Sequence, residues 1–556
     1  MSLPGTPERP PRLSVALISA AALGYEILLM RLFSIIQWHH FAYMIISLAL
    51  LGYGASGTFI ALARARLLAR FAPAYWLNLI LFGLSAVACY LLAQQVPFNA
   101  EEVLWDWHQP LWLLAIYLLL ALPFFFAANA IALALSRYPA ALARVYAADL
   151  LGAGLGALAV LVLLFWVFPG TALQALGVLG ALAALVAARE LRLPGRRWQG
   201  GALLCAAVLL ALPGDWLEPR ISPYKELSQA LRVAGTEVID RRSSPLGVLE
   251  VLASHNIPLR HAPGLSLRAT APIPEQLGLF TDAGGLSAID RNPRRQPLAY
   301  LEQLTSALPY YLAQPEHVLI LGTGGGAGVQ QALNHRVAVI DAVELNSQVI
   351  ELVTQDYGEW SGDLYQRPGV EVHIADARGY VRRSRRHYDL IQINLLDAYG
   401  AAGAGLPALN ENYLYTVEAL QEYLAHVAPG GYLVISRWIS LPPRDTLKLL
   451  ATAVEALERA GSRAPGSQLV LIRGWQTGTL LIKHEAFTEE ELEAVRRFCR
   501  ARSFDVAWYP GMQASEANHF NILRQPWLYE AAAALTGGRG AEFIRDYKFD
   551  ITPPTD

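Results

Sequence analysis

Between residues 13 and 213 the chain carries six apolar runs that reach or approach the length needed to cross a lipid bilayer, and this limits its fold more than any other feature. The runs cover 13–36, 41–62, 75–92, 111–135, 145–168 and 171–188. A span needs roughly 20 apolar residues at about 1.5 Å of rise each. A seventh run, 201–212, is too short without its flanks. The first run has 24 residues and no small-residue cleavage site after it, so it reads as a span and not as a removable signal peptide. A multi-pass helical bundle is therefore expected for residues 1–213.

Composition supports this division. Hydrophobic residues make up 54% of the chain and charged residues 16%, against about 25% charged in an ordinary soluble protein. The deficit lies in the first 213 residues, which have almost no lysine, while 214–556 has the composition of a soluble enzyme. At 556 residues the chain is too long for one core. A formal net charge of −2 gives no basis for binding nucleic acid through bulk charge. Cys89, Cys205 and Cys499 lie far apart without metal-ligand spacing, so no metal site is expected.

The arginines give an orientation. Arg9 and Arg12 precede the first run, Arg64, Arg66 and Arg70 follow the second, Arg137 and Arg144 the fourth, and Arg189, Arg192, Arg196 and Arg197 the sixth. The loop between the third and fourth holds Glu101, Glu102 and Asp106 instead. The positive-inside rule makes the N-terminus cytoplasmic, and six crossings return the chain there. Glu26, Arg31 and Asp149 fall within the runs, where a charge costs about 2.5–3.5 kcal/mol on insertion scales. They either line a polar or headgroup pocket, or Arg31 and Asp149 snorkel from helix ends while Glu26 pairs with a neighbour. Gly152 with Gly156, and Gly52 with Ser56, are spaced for close helix packing.

After Pro213 the pattern changes. Residues 236–290 alternate and are rich in turns, which predicts a small β-rich subdomain within 214–295. From Leu298 onward, helix, strand, glycine-rich turn, helix and strand follow one another. The sequence His-Val-Leu-Ile-Leu-Gly-Thr-Gly-Gly-Gly-Ala-Gly at 317–328 reads as a buried parallel strand running into a turn. There Gly322, Gly324 and Gly326 let the backbone turn tightly and approach a ligand. A second strand, 337–343, ends in Glu344, about 20 positions past the first glycines, where an acid can accept hydrogen bonds from ribose hydroxyls. A third, 370–374, is followed by Asp376 and Ala377, and a fourth, 388–393, runs into Asn394-Leu-Leu-Asp397. Ligands bind at the carboxyl ends of such strands, which predicts a Rossmann-like nucleoside-binding domain over 296–556. A seventh crossing would carry that domain away from cytoplasmic nucleosides, so 201–212 is expected to be a partial or interfacial helix.

These residues resemble the spermidine synthase (polyamine aminopropyltransferase) family, specifically its membrane-fused bacterial subgroup. The similarity runs from Ser243-Ser-Pro-Leu-Gly247 through Thr281-Asp-Ala-Gly284, Tyr300-Leu-Glu302, the glycine turn, Glu344, Asp376 and Asn394–Asp397 to Tyr413-Leu-Tyr415 and Pro429-Gly-Gly431. His40-Phe-Ala-Tyr and Asp149-Leu-Leu-Gly resemble the fused subgroup. The resemblance implies ribose held at Glu344, adenine at Asp376, an amine-binding tyrosine at Tyr300, and a multi-pass protein of the bacterial inner membrane with its soluble domain cytoplasmic. It further implies decarboxylated S-adenosylmethionine, or S-adenosylmethionine, as co-substrate without a metal. The chemistry would be transfer to a polyamine-like amine by in-line displacement beside a sulfonium. A carboxylate must then take a proton from the amine.

The chain departs from the family in three ways. The loop acid of Gly-Gly-Gly-Asp-Gly is Gly325 here, the first acid of Asp-x-x-Asp-Pro is Asn394 so that only Asp397 remains, and the glutamine after Leu-Asp-Gly has no equivalent near Asp282. An amide cannot act as a general base. The first expectation is a membrane-bound transferase with Asp397, Asn394 and Tyr300 on the acceptor side. The alternatives are a transporter or sensor with a catalytically degenerate nucleoside- or polyamine-binding domain, and a methyltransferase acting on a lipid or amine at the membrane surface. The expected partners are an amine substrate and the lipid bilayer; a homo-oligomer is left open. The fused family usually continues past the position of Pro553-Pro-Thr-Asp556, which suggests that this chain is a fragment lacking part of the membrane domain.

Overall fold

The computed structural model of the protein describes residues 9–36, 42–99, 102–103, 105–395 and 413–556. His40, Phe41, Glu101 and Asp397 lie outside the described residues. The chain divides into two compact units, Met1–Ser228 with Arg242–Val248, and Gln229–Arg241 with Leu249–Asp556.

The first unit is helical: α1 (Arg12–Ile36), α2 (Ala42–Ala69), α3 (Phe71–Ala93), α4 (Gln109–Arg137), α5 (Leu142–Leu163), α6 (Pro169–Glu190) and the shorter α7 (Arg197–Leu210). Among the described residues six helices are long and apolar enough to cross a membrane, and α7 is not one of them. The helix α1 is central, with Val15, Ile18, Tyr25, Leu28 and Leu29 fully buried. Its first turn is capped by a carboxylate from the end of α6: the Leu13 and Ser14 amides donate to Glu190 at 2.9 and 3.1 Å, and the Ser14 hydroxyl at 2.6 Å. This satisfies orphan donors and sets a negative charge at the positive end of the helix dipole.

Small residues decide which helices touch. A Cβ added at Gly152 would lie 2.1 Å from the Ala16 carbonyl oxygen, and one at Gly156 2.3 Å from that of Ala20, so α5 lies backbone to backbone against α1. At Gly52 a Cβ would meet the Ala121 carbonyl of α4 at 2.7 Å, and one turn on, Ser56 donates to Asn129 at 2.7 Å. Of the charges inside the helices, Asp149 accepts a 2.5 Å hydrogen bond from Ser19 of α1. Arg31 donates to Ser34 at 3.2 Å. Glu26 forms no hydrogen bond or ion pair with another described residue.

Apart from Arg242–Val248, which join the first two strands and are assigned to the first unit, the second unit contains two sheets. The four-stranded sheet runs β1 (Thr236–Ser244), β2 (Gly247–Ser254), β3 (Gln276–Thr281) and β4 (Gly284–Asp290) in sequence order. The eight-stranded sheet is built from β5 (His317–Leu321), β6 (Val339–Glu344), β7 (Val370–Ile374), β8 (Tyr388–Asn394), β9 (Val427–Trp438), β10 (Leu469–Arg473), β11 (Thr477–Ile482) and β12 (Asp505–Trp508). Its order is β12-β10-β11-β9-β8-β5-β6-β7, with β5 to β9 parallel and β10 to β12 antiparallel. Val318, Leu319, Ile320 and Leu321 are all buried, as a strand covered on both faces requires. The strand β5 pairs with β6 on one side and β8 on the other. Strand order therefore reverses at β5, which opens a crevice at the carboxyl edge of a Rossmann-type sheet.

Candidate active site

The crevice at the end of β5 is a cavity of about 420 Å³. Its lining includes Gly322, Gly324, Glu344, Asp376, Ala377, Asn394 and Tyr300, which brings together sequence-expected residues from five separate stretches of chain.

The glycine turn explains its own composition. Gly322, Gly324 and Gly326 have φ of +76°, +50° and +97°, a region that penalises any Cβ. The turn is then fixed from outside, with the Gly322 amide donating to the Val343 carbonyl at 2.9 Å and the Tyr365 hydroxyl to the Gly324 carbonyl at 2.6 Å. Gly326 opens the helix Ala327–Asn334 and is not part of the lining; a Cβ there would meet Leu364 at 2.2 Å. Gly325 donates its amide to the Ser287 hydroxyl at 2.8 Å, and a Cβ on it would lie 2.1 Å from the Ala288 carbonyl oxygen. With β4 lying against the turn, no acidic side chain fits at position 325.

Glu344 ends β6. One carboxylate oxygen accepts from the Gly324 amide at 3.0 Å and the other from the Asn346 amide at 3.1 Å. Each oxygen keeps a further lone-pair position. Asp376 caps the helix Ala377–Arg383 by accepting from the Gly379 amide at 2.6 Å, and accepts from the Tyr413 hydroxyl at 2.7 Å. That hydrogen bond to a carboxylate, with burial, raises the Tyr413 phenol above its ordinary value.

Asn394 ends β8. Its amide oxygen accepts from Gln392 at 3.3 Å, so its NH₂ is the group left to act elsewhere. Gln392 is wholly buried, accepts from the Tyr310 hydroxyl at 3.0 Å, and donates at 3.3 Å to the Ser306 carbonyl and the Gln331 side chain.

Tyr300 leads to three residues that sequence reasoning missed. Its hydroxyl donates at 2.7 Å to one oxygen of the buried Asp290. The other oxygen accepts from Gln276 at 2.8 Å. Gln276 in turn clamps the backbone of His261, accepting from its amide at 2.6 Å and donating to its carbonyl at 3.1 Å. The His261 side chain lines the cavity. Burial pushes the Asp290 carboxyl up, partly offset by the hydrogen bonds from Gln276 and Tyr300. Burial and the neighbouring Asp290 charge raise the Tyr300 phenol well out of reach of ionisation. Burial lowers the His261 imidazole to about 4, so it is neutral at pH 7. Gln276 and Asp290 stand opposite one another in the β3–β4 ladder. The only signal in the sequence was a polar residue at the outer end of each of two apolar strands, and its meaning depends on the register.

Among the described residues one group has metal-ligating geometry: Asp341, Glu371 and His373, outside the cavity lining. Arg386 already bridges it, donating to Asp341 at 3.1 Å and to Glu371 at 2.9 Å, while His373 contacts Asp341 at 2.6 Å. The guanidinium supplies the positive charge that these acids call for.

Residues 298–435 match the family model for the spermine/spermidine synthase domain. Over 135 residues the chain is 33% identical to a polyamine aminopropyltransferase of Korarchaeum cryptofilum, covering 24% of this chain and 39% of that protein. Over 159 residues it is 29% identical to one from Sulfolobus acidocaldarius, covering 28% of this chain and 50% of that protein. The chain thus spans at most half the length of these relatives. A solved structure of spermidine synthase from Thermotoga maritima overlaps 47% of this chain and 78% of its own, at 18% identity and a TM-score of 0.31. The stretch that builds the glycine turn, both strand-end acids and Asn394 is therefore similar to the spermine/spermidine synthase domain.

Proposed function

We propose that the chain is a membrane-bound, aminopropyltransferase-like enzyme that moves a group from decarboxylated S-adenosylmethionine, or S-adenosylmethionine, to a polyamine-like amine. The observation that carries this reading is the convergence of Gly322, Gly324, Glu344 and Asp376 on one cavity at the switch point of a parallel sheet. Glu344 would take the ribose hydroxyls, Asp376 the adenine, and Tyr300 and Asn394 would stand on the acceptor side; Asp397, outside the described residues, would join them. Six long apolar helices, with Leu62, Leu151 and Leu155 turned outward, support a bilayer as the solvent of the first unit.

Calorimetry with methylthioadenosine tests the nucleoside half. A charged hydrogen bond contributes about 1.5–3 kcal/mol, so Glu344→Gln should weaken methylthioadenosine binding at least about tenfold. Because Glu344 also holds the Gly324 and Asn346 amides, the 2′-deoxy analogue is the needed partner. Wild type should discriminate against it and Glu344→Gln should not. Equal discrimination by both proteins sinks the ribose assignment.

A specific observation favours a second reading. The turn cannot accept an acid at Gly325, and Asn394 replaces the expected base, so the domain would serve a transporter or sensor that binds its nucleoside without turnover. Release of methylthioadenosine from decarboxylated S-adenosylmethionine in the presence of putrescine separates the two readings.

A further inference from the structure

The nucleoside side of the cavity is furnished with carboxylates and the other side with lone pairs. Tyr300 has a single hydroxyl proton, and it is committed to Asp290 at 2.7 Å. With that proton committed, the oxygen can only accept. The ring nitrogens of His261 have no hydrogen-bond partner among the described residues, and the side chain lines the same cavity. Gln276 holds its backbone by both the amide and the carbonyl. Gln276 and Tyr300 are anchored on the two oxygens of the same buried carboxylate, so one group holds both the Tyr300 hydroxyl and the backbone that carries His261. The lining also carries hydroxyl and amide side chains at Thr305, Ser306, Gln331 and Thr477.

We propose that His261 and Tyr300 together receive the two N–H bonds of a neutral primary amine, which aims its lone pair at the carbon beside the sulfonium. This deepens the transferase reading and rests on it. An ammonium ion has no lone pair with which to attack, whereas a neutral primary amine has one lone pair and two N–H donors. Two acceptors therefore determine its orientation, and orientation of this kind is where much of an enzyme's rate advantage arises. The imidazole stays neutral at pH 7, so it offers a lone pair and no repelling charge. In the step, the amine lone pair forms the new N–C bond as the C–S bond breaks. The C–S electron pair goes to sulfur, giving a neutral thioether nucleoside; the amine has given one proton to solvent before it binds, and the product leaves as the secondary ammonium.

The test uses the full chain in detergent, with decarboxylated S-adenosylmethionine as donor, putrescine as the amine and methylthioadenosine release as the readout. Misplacing a reacting group costs on the order of 10²-fold, so His261→Phe should slow transfer by about that factor while methylthioadenosine affinity stays within about twofold. His261→Gln, whose amide oxygen can still accept a hydrogen bond, should recover a clear part of the loss. Full activity in His261→Phe overturns the proposal, as does an equal loss in the Phe and Gln variants. Wild type that binds methylthioadenosine but transfers nothing to putrescine also overturns it and leaves the nucleoside site standing. Wild type that fails to bind methylthioadenosine removes the nucleoside reading and this inference together.

Discussion

At Gly325 one backbone contact decides what chemistry the turn can hold. An added Cβ would lie 2.1 Å from the Ala288 carbonyl oxygen and 2.5 Å from its carbon, both backbone atoms that a side-chain rotation cannot move. Gly325→Asp should therefore not restore an acidic site; it should push β4 off the turn and break the Ser287 hydrogen bond. Overpacking of this kind costs about 1–3 kcal/mol, occasionally more. Thermal unfolding should show a loss of that size together with weaker methylthioadenosine binding, and an unchanged melting temperature would contradict the contact. Position 394 is the opposite case. Gln392 already donates to the Asn394 oxygen at 3.3 Å, so a carboxylate there would find a donor waiting. Asn394→Asp should fold normally. It should also raise transfer to putrescine by about 10²-fold or more, the usual worth of a positioned general base. A robust wild-type rate with no gain in the variant would mean that the site activates its amine without a base at this position.

The same distinction between a polar end group and a backbone contact recurs among the elements. Gly152 and Gly156 are four residues apart, one turn of α5, and both meet the backbone of α1, at Ala16 and Ala20. Gly156→Ile should separate the helices and abolish the close approach, lowering resistance to unfolding in detergent by more than the same change at Gly154, where an added Cβ meets nothing within 4 Å. Equal effects at the two glycines would refute the packing. That spacing was legible in the sequence, as were the positive-φ glycines of the turn, because each follows from a local requirement of one short stretch. The parallel strands were legible for the same reason: a continuous apolar run ending in a glycine or an acid means much the same wherever it occurs. The second strand starts at Val339, two residues later than its apolar pattern suggested, since Val337 is buried in the loop that leads into it. The Asp290–Gln276–His261 arrangement was not legible. Gln276 finds Asp290 only through the register of β3 against β4, and it finds His261 fifteen residues back through a loop with no periodicity. Nor could the block at Gly325 be read, because its cause is a carbonyl 37 residues earlier in the chain.

For the whole molecule, the question is on which side of a membrane the proposed nucleoside site lies. The arginines cluster at alternate ends of the apolar runs, and among the described residues six helices have the length to cross while α7, with 14 residues, does not. At about 1.5 Å per residue, 14 residues span roughly 21 Å against a hydrocarbon core of about 30 Å. An even number of crossings from a cytoplasmic N-terminus returns the chain to the cytoplasm. Thiol labelling can test this because the native cysteines are silent: Cys89, Cys205 and Cys499 are all buried and unpaired. A cysteine at the exposed Ala464, in the loop before β10, supplies a single reactive thiol. In intact cells Ala464→Cys should resist a membrane-impermeant maleimide and react readily once the cells are opened. A second variant, Trp105→Cys, exposed in the loop between α3 and α4 that also carries Glu102 and Asp106, should give the reverse pattern, reacting in intact cells. Labelling of both sites in intact cells would make the number of crossings odd, with α7 as the extra one. A nucleoside-dependent transferase would then have to draw its donor from outside the cell, and the binding-module reading would gain the ground that the enzyme reading lost.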